Sequence, residues 1–290
     1  MANSIFGLSF VLSNDTEFRD FGSALSAQLG AMLTRVVTSS DINWLTVTRP
    51  ASGAYAANFE VYRFNDDAQA THPLFFKFEY GHDTNRVYLR LTIAKSCDEA
   101  GVLSGVILPA TVIVQNGATA AGIQNCYISN GSGSSLSLAF YPTSGSSTGG
   151  GLIIERAYAS NGSIDGSALW VAYKLVSMVS TEWNQRMIDY STGTLNSVGA
   201  GTGMFPTPVL LTSGVSLANG TVTPYFPAAC LTPAGKYWIP RAALGGALVD
   251  CAAGAVVNNL LDGFNYIGVG NLGSRSDQRG TNFSGMLMRW

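Results

Sequence analysis

The sequence predicts a mainly β chain with one N-terminal amphipathic helix: an α+β unit first, then an antiparallel β-sandwich-like region. Three observations carry this. One stretch of helical period lies near the start, period-2 alternation runs through residues 44–93, and short apolar runs between Gly/Ser/Thr-rich turns fill the rest. The character changes near residue 105. Residues 1–105 read as a helix packed on an antiparallel meander, and residues 106–290 as a β-rich region with long Gly/Ser loops.

The first strand is expected at residues 5–12. A helix start follows, with Asn14 as cap and Glu17 three residues on, as in a capping box. Phe18, Phe21, Leu25, Leu29, Met32 and Val36 then step by three or four, one face of a helix of about twenty residues. Ser23, Ser26 and Gln28 fall on the opposite face. Strands are expected at residues 44–48, 59–64, 74–80 and 87–93, with turns at 65–67 and 81–85. Arg90 and Thr92 should face outward.

Residues 96–105 read as a loop. Strands follow at 106–114, 123–128, 136–141, 152–158 and 168–179. The small-residue runs 143–151 and 192–202 read as loops, and Asn161-Gly162 and Asn219-Gly220 as hairpin turns. Short strands are expected at 209–211, 236–239, 266–269 and 286–290. Residues 244–255 fit either a helix or a buried strand. The apolar end at Trp290 suggests a last strand docked into a sheet or onto a neighbouring subunit.

Composition narrows the function. Only 12% of the 290 residues are charged, against roughly 25% in ordinary globular chains, and glycine reaches 33 residues. Small uncharged polar side chains must therefore cover much of the surface. Such a surface suits wide contacts with identical neighbours, whose centres are depleted of charge. With a net charge of −2 and no block of Lys or Arg, the concentrated basic face that phosphates demand is missing, so no nucleic-acid partner is expected. The first fifteen residues lack a basic segment ahead of their apolar stretch and do not read as a signal peptide. No run of about 18 apolar residues occurs, so no membrane partner is expected. Cys97, Cys126, Cys230 and Cys251 form no CxxC pair and read as buried free thiols.

Chemistry-bearing motifs are weak. Gly199-Ala-Gly-Thr-Gly203 runs into Pro206 and Pro208, so no helix can receive a phosphate there. His72 precedes a proline and His82 lies in a turn, and neither accompanies a serine nucleophile. Among Asp66, Asp67, Glu79, Asp83, Asp98, Glu99, Glu155, Asp165, Glu182 and Asp189, most sit in apparent turns. A glycosidase-type pair would best join Glu155 to Glu182 or Asp189. The plainer reading makes Glu155 a solvated carboxylate or gives it a salt bridge to Arg156 or Lys174. The sequons at Asn130, Asn161, Asn219 and Asn282 read as turns. Five tryptophans and twelve tyrosines leave room for stacking on sugar rings. No catalytic, cofactor-binding or metal residue is assigned, and no cofactor is expected.

The run Glu60-Val-Tyr-Arg-Phe-Asn-Asp-Asp-Ala-Gln-Ala-Thr-His-Pro-Leu-Phe-Phe-Lys-Phe-Glu-Tyr-Gly81, followed by Tyr88-Leu-Arg-Leu-Thr-Ile93, resembles the N-terminal part of tailed-bacteriophage virion structural proteins. The helix before it and Trp44 fit the same arrangement, so the resemblance covers about residues 15–105. Residues 96–105 match only in part the glycine-rich loop of those proteins. The resemblance implies a structural component of the virion, most readily of tail, baseplate or neck, assembled in the host cytoplasm. Its partners would be copies of itself and other virion proteins, with a host surface glycan as a further candidate. A receptor-binding fibre tip, a capsid decoration protein and a polysaccharide-degrading tail enzyme are the alternatives.

Overall fold

The computed structural model describes residues 2–84, 86–115, 123–131, 133–142, 150–159, 161–174, 184–193 and 195–197, and beyond them 226–227, 230–231, 237–238, 241–246, 254, 256–257, 264–271 and 285–290. The expected motif at Gly199–Gly203, the turn at Asn219, the sequon at Asn282, the loop at 143–149, the strand at 209–211, Glu182 and Cys251 lie outside these residues.

In chain order come β1 (Ala2–Ser9), α1 (Asp15–Met32), β2 (Thr34–Val36), β3 (Glu60–Arg63), a 3-10 turn (Asp67–Ala70), β4 (Phe75–Asp83), β5 (Arg86–Cys97) and β6 (Leu103–Gln115). Then follow β7 (Ile123–Asn130), β8 (Ser135–Pro142), β9 (Gly150–Tyr158), β10 (Ile164–Lys174), β11 (Asn184–Asp189) and β12 (Leu195–Ser197). The last segment holds β13 (Phe226–Pro227), β14 (Cys230–Leu231), β15 (Tyr237–Trp238), β16 (Ala243–Gly246), β17 (Val256–Val257), β18 (Tyr266–Asn271) and β19 (Gly285–Arg289). The chain is mainly β, with the helix near the N-terminus and antiparallel sheets in a sandwich-like arrangement.

α1 begins as a capping box. Asn14 accepts from the Glu17 amide at 3.0 Å, and Glu17 accepts from the Ser13 amide. The helix stops at Met32, so Val36 belongs to β2 rather than to its apolar face. Phe18, Phe21, Leu25, Leu29 and Met32 are all buried. Ser26 is buried as well, against the sequence reading, because its hydroxyl donates to Glu60 at 2.6 Å. Residues 43–47 form a turn instead of the expected strand, with the Thr46 and Val47 amides donating to Asn43 O. The reason is Trp44. Its indole stands 4.8 Å from the Tyr80 ring and 5.6 Å from the Phe18 ring, and its Nε1 donates to Glu60 at 3.1 Å. Packing inward on the helix overrides the β-propensity of the segment.

One sheet has the order β2-β3-β4-β5-β6, and a seven-stranded sheet has the order β1-β7-β8-β9-β10-β11-β12. The first strand begins three residues earlier than the pattern suggested and pairs with β7 from Ala2↔Asn130 to Ser9↔Ile123. The change of character near residue 105 falls inside β6. A single buried cluster joins α1 and β3–β6 to one face of the seven-stranded sheet, through Leu136, Leu138, Leu152, Ile154, Leu169, Val171 and Ile188. The other face carries Ala139, Ile153, Ala157, Ala168, Trp170, Ala172 and Met187, which pack with Ala242, Ile267 and Met288 of the C-terminal segment. The sheet of order β13-β16-β19-β18-β17 supplies that cover. β9 is thus buried on both faces, which explains its consecutive apolar residues Leu152, Ile153 and Ile154.

Residues 243–246 are strand, settling the helix-or-strand alternative at the start of 244–255. The apolar C-terminus is a sheet strand: β19 lies between β16 and β18, and Trp290 packs edge-on to Tyr127 at 5.3 Å. Thr92 is buried, and Arg90 forms a two-pronged ion pair with Glu79 at 2.7 and 2.8 Å.

Candidate functional site

Successive side chains of a strand point to opposite faces. On β9 this sends Glu155 and Arg156 in opposite directions, so the salt bridge expected between them does not form. Each is almost fully buried and needs its own partners, since an unpaired buried charge is costly. Arg156 turns toward the N-terminal layers. Its Nε donates to Asp66 at 2.8 Å, Nη1 to His72 O at 2.8 Å and Nη2 to Gln69 at 2.9 Å. Burial pushes the Asp66 carboxyl up and the Arg156 guanidinium down, each partly offset by the other. Asp66 is therefore no simple turn residue; it holds the 3-10 turn against the central sheet.

Glu155 turns toward the C-terminal sheet. Its carboxylate accepts the Arg241 amide at 2.9 and 3.1 Å and the Ala242 amide at 3.1 Å. Burial raises its proton affinity from the ordinary 4.5 to about 7; the two amides and the charges of Arg241 and Arg289 work against that rise. Beside Glu155 lies a cavity of about 330 Å³ between the two sheets. Ser129, Ser135 and Ser137 of β7 and β8 line one wall, with Tyr158 beside Glu155 and with Arg241, Phe264 and Arg289 across from them. The Arg241 guanidinium stands 3.8 Å over the Tyr158 ring, and the Arg289 guanidinium 3.1 Å over the Phe264 ring.

No family model, curated protein or solved structure matches this chain.

Of the two carboxylate pairs that the sequence favoured, Glu155 with Asp189 is not brought together, and Glu182 lies outside the described residues. Glu155 lies opposite Trp170, which lies opposite Met187, and Asp189 is two residues further along β11. At about 4.8 Å between strands and about 3.3 Å per residue, their backbones are roughly 12 Å apart. Asp189 is also engaged in its own turn. The Ser191 hydroxyl at 2.6 Å and the Thr192 amide at 2.9 Å hold its carboxyl below the ordinary range. Three of the other acids likewise serve structure. Asp83 accepts from Ser52 at 3.1 Å, Asp98 from the amides of Ala100 and Val102 at 3.0 and 2.8 Å, and Asp165 from the Ser167 amide at 2.9 Å.

His82 donates its Nε2 proton to Pro50 O at 2.6 Å, and His72 packs edge-on to Tyr190 at 4.9 Å. Cys126 is buried and Cys97 half-buried, both free. Among the described residues, no three His, Cys, Asp or Glu side chains gather as a metal set would, and no described helix is long and apolar enough to cross a membrane.

Two groups escaped sequence reasoning. Glu60 on β3 is fully buried and gathers Ser26 at 2.6 Å, Trp44 at 3.1 Å, Arg35 at 3.1 Å, Tyr62 at 3.0 Å and Tyr80 at 2.5 Å. Nothing local distinguishes it from a solvated strand carboxylate. The cavity arginines, Arg241 and Arg289, lie far from Glu155 in sequence. Only the pairing of sheets unites them.

Proposed function

We propose that the chain is a structural component of a tailed-phage virion, in its tail, baseplate or neck, and that it works by assembly with copies of itself and with other virion proteins. The observation that carries this reading is the outer face of β1 and β7. Asn3, Ile5, Gly7 and Ser9 alternate outward on β1 beside Ile123 and Asn125 on β7, with Ile5 55% and Ile123 59% exposed. None of these side chains is charged. Among the described strands β1 has no neighbour on its second edge. Its eight residues hold no Lys, Glu or Pro, the side chains that usually guard an edge against further pairing. Such an edge is suited to a permanent neighbour, in line with the low overall charge. The run from Glu60 to Ile93 that resembles virion proteins forms β3, β4 and most of β5, and the buried contacts of Trp44 and Glu60 tie it to α1.

Light scattering on the purified protein over a range of concentrations tests the reading, with electron microscopy of the same sample. A closed oligomer or ring is expected, and Ile5→Lys should reduce it to the 30.5 kDa chain while leaving the fold intact. A monomer at every concentration, or an oligomer indifferent to Ile5→Lys, would count against assembly through this face.

A further inference from the structure

Sheet edges differ in how they discourage further pairing. Among the described strands, the edges β2 and β12 are three residues long, and β13, β14, β15 and β17 are two. β6 is a longer edge, but it carries Pro109 and its register with β5 shifts at three places. β1 differs from all of these. Its eight residues pair with β7 without a shift and include no charged side chain and no proline. Its second edge, without a neighbour among the described strands, presents a regular row of backbone donors and acceptors.

We infer that this edge pairs antiparallel with β1 of a second copy, across a two-fold axis normal to the sheet. Such a seam presupposes the assembly proposed above and specifies how two copies meet. Two observations favour a copy of this chain over a foreign strand. A strand pairing with itself sets like charges opposite or diagonal to each other wherever it carries any, and β1 carries none. The axis also keeps each face with its like, so the α1 helices of both copies fall on the same side. α1 packs on the inner face of β1, yet Phe6 on that face is only partly buried. A second copy brings its own helix to that side; an extended peptide would bring no cover. The register follows from the pleat. Directly opposed residues share a face, so the axis runs through a residue that meets its own copy. Ile5 is that residue. It is 55% exposed, and on the axis it gains the copy's Ile5 as an apolar neighbour. Asn3 then meets Gly7, and Ser4 meets Phe6. With Phe6 on the axis, Ile5 would face only the bare backbone of Gly7.

The test is disulfide trapping with peptide mass mapping, alongside amide exchange of the unaltered chain at low and high concentration. Directly opposed residues stand about 4.5–5.5 Å apart at Cα, within reach of a disulfide, and diagonal neighbours at about 7–8 Å lie beyond it. Under mild oxidation, Ile5→Cys chains should link to each other through position 5. Asn3→Cys and Gly7→Cys chains should link when mixed, and neither to its own kind. A Cβ at Gly7 would lie 3.7 Å from Ile123, an ordinary contact. Mass mapping separates these links from any made by Cys97, Cys126, Cys230 or Cys251. Alternate amides of β1 in the unaltered chain should exchange at least tenfold more slowly once it associates, a readout that stands even if the cysteine variants misfold. An oligomer whose folded Ile5→Cys chains do not link, or whose β1 amides exchange as in the monomer, overturns the seam and leaves the assembly reading standing. So does linkage of Asn3→Cys chains to their own kind. A monomer at every concentration overturns both.

Discussion

Replacing Glu155 by Gln should change how stability depends on pH, and the sign follows from burial. A carboxyl raised from 4.5 to about 7 on folding keeps its proton in the native state at pH values where the unfolded chain has lost it. Between those values the native state binds more protons, so stability falls as the pH rises. The fall begins near pH 4.5, ends a little above pH 7, and is flat outside that window. At about 1.4 kcal/mol for each tenfold change in proton affinity, the full loss is about 3 kcal/mol. Glu155 is completely buried, so solvent screening takes little from this figure. The amide that Glu155→Gln introduces cannot ionise, yet its oxygen can still accept from the Arg241 or Ala242 backbone N–H. Urea unfolding of both proteins from pH 4.5 to 8.5 separates the effect of this residue from every other titration. The difference, variant minus wild type, should rise by about 3 kcal/mol across the window in favour of the variant. A difference curve flat to within 0.5 kcal/mol or so, inside the roughly 10–15% error of the extrapolation, would refute the argument from burial.

Three further outcomes are expected. Gly22→Ala would ordinarily strengthen α1 by up to about 1 kcal/mol, but a Cβ there would lie 1.9 Å from the Trp44 ring. It should destabilise by about 1–3 kcal/mol through overpacking and turn neutral or stabilising in a Trp44→Ala background, which a double-mutant cycle by urea unfolding reads directly. Arg156→Met strands Asp66 in the core and should cost about 3–5 kcal/mol, most of it recovered in the Asp66→Asn, Arg156→Met double variant; calorimetric melting of the three proteins measures this. Glu60→Ala leaves Arg35, Ser26, Trp44 and two tyrosine hydroxyls without their shared acceptor and should cost more than about 3 kcal/mol. Loss of the near-ultraviolet signal of Trp44 and Tyr80 at lower denaturant would report it.

What the sequence determined by itself was local. The Asn14–Glu17 box placed the helix start to the residue, because a cap depends only on atoms within one turn. Alternation around Lys77, Glu79 and Arg90 placed β4 and β5, because a half-buried strand shows its period in its own side chains. The mainly β class with one N-terminal helix followed from these signals alone. Tertiary structure decided the rest. Trp44 sits in a β-forming run, yet its ring seats on α1 and turns the chain. Ser26 lies on the polar side of the helical pattern, yet Glu60 draws it inward. Glu155 and Arg156 are neighbours in sequence, and the pleat sends them into different cores, one to meet Asp66 and the other to meet amides 86 and 87 residues away. The cavity with its two arginines exists only because β19 and the segment around Arg241 fold back over the central sheet. A charge's burial and partners are set by which surfaces close over it, and that information is distributed along the whole chain.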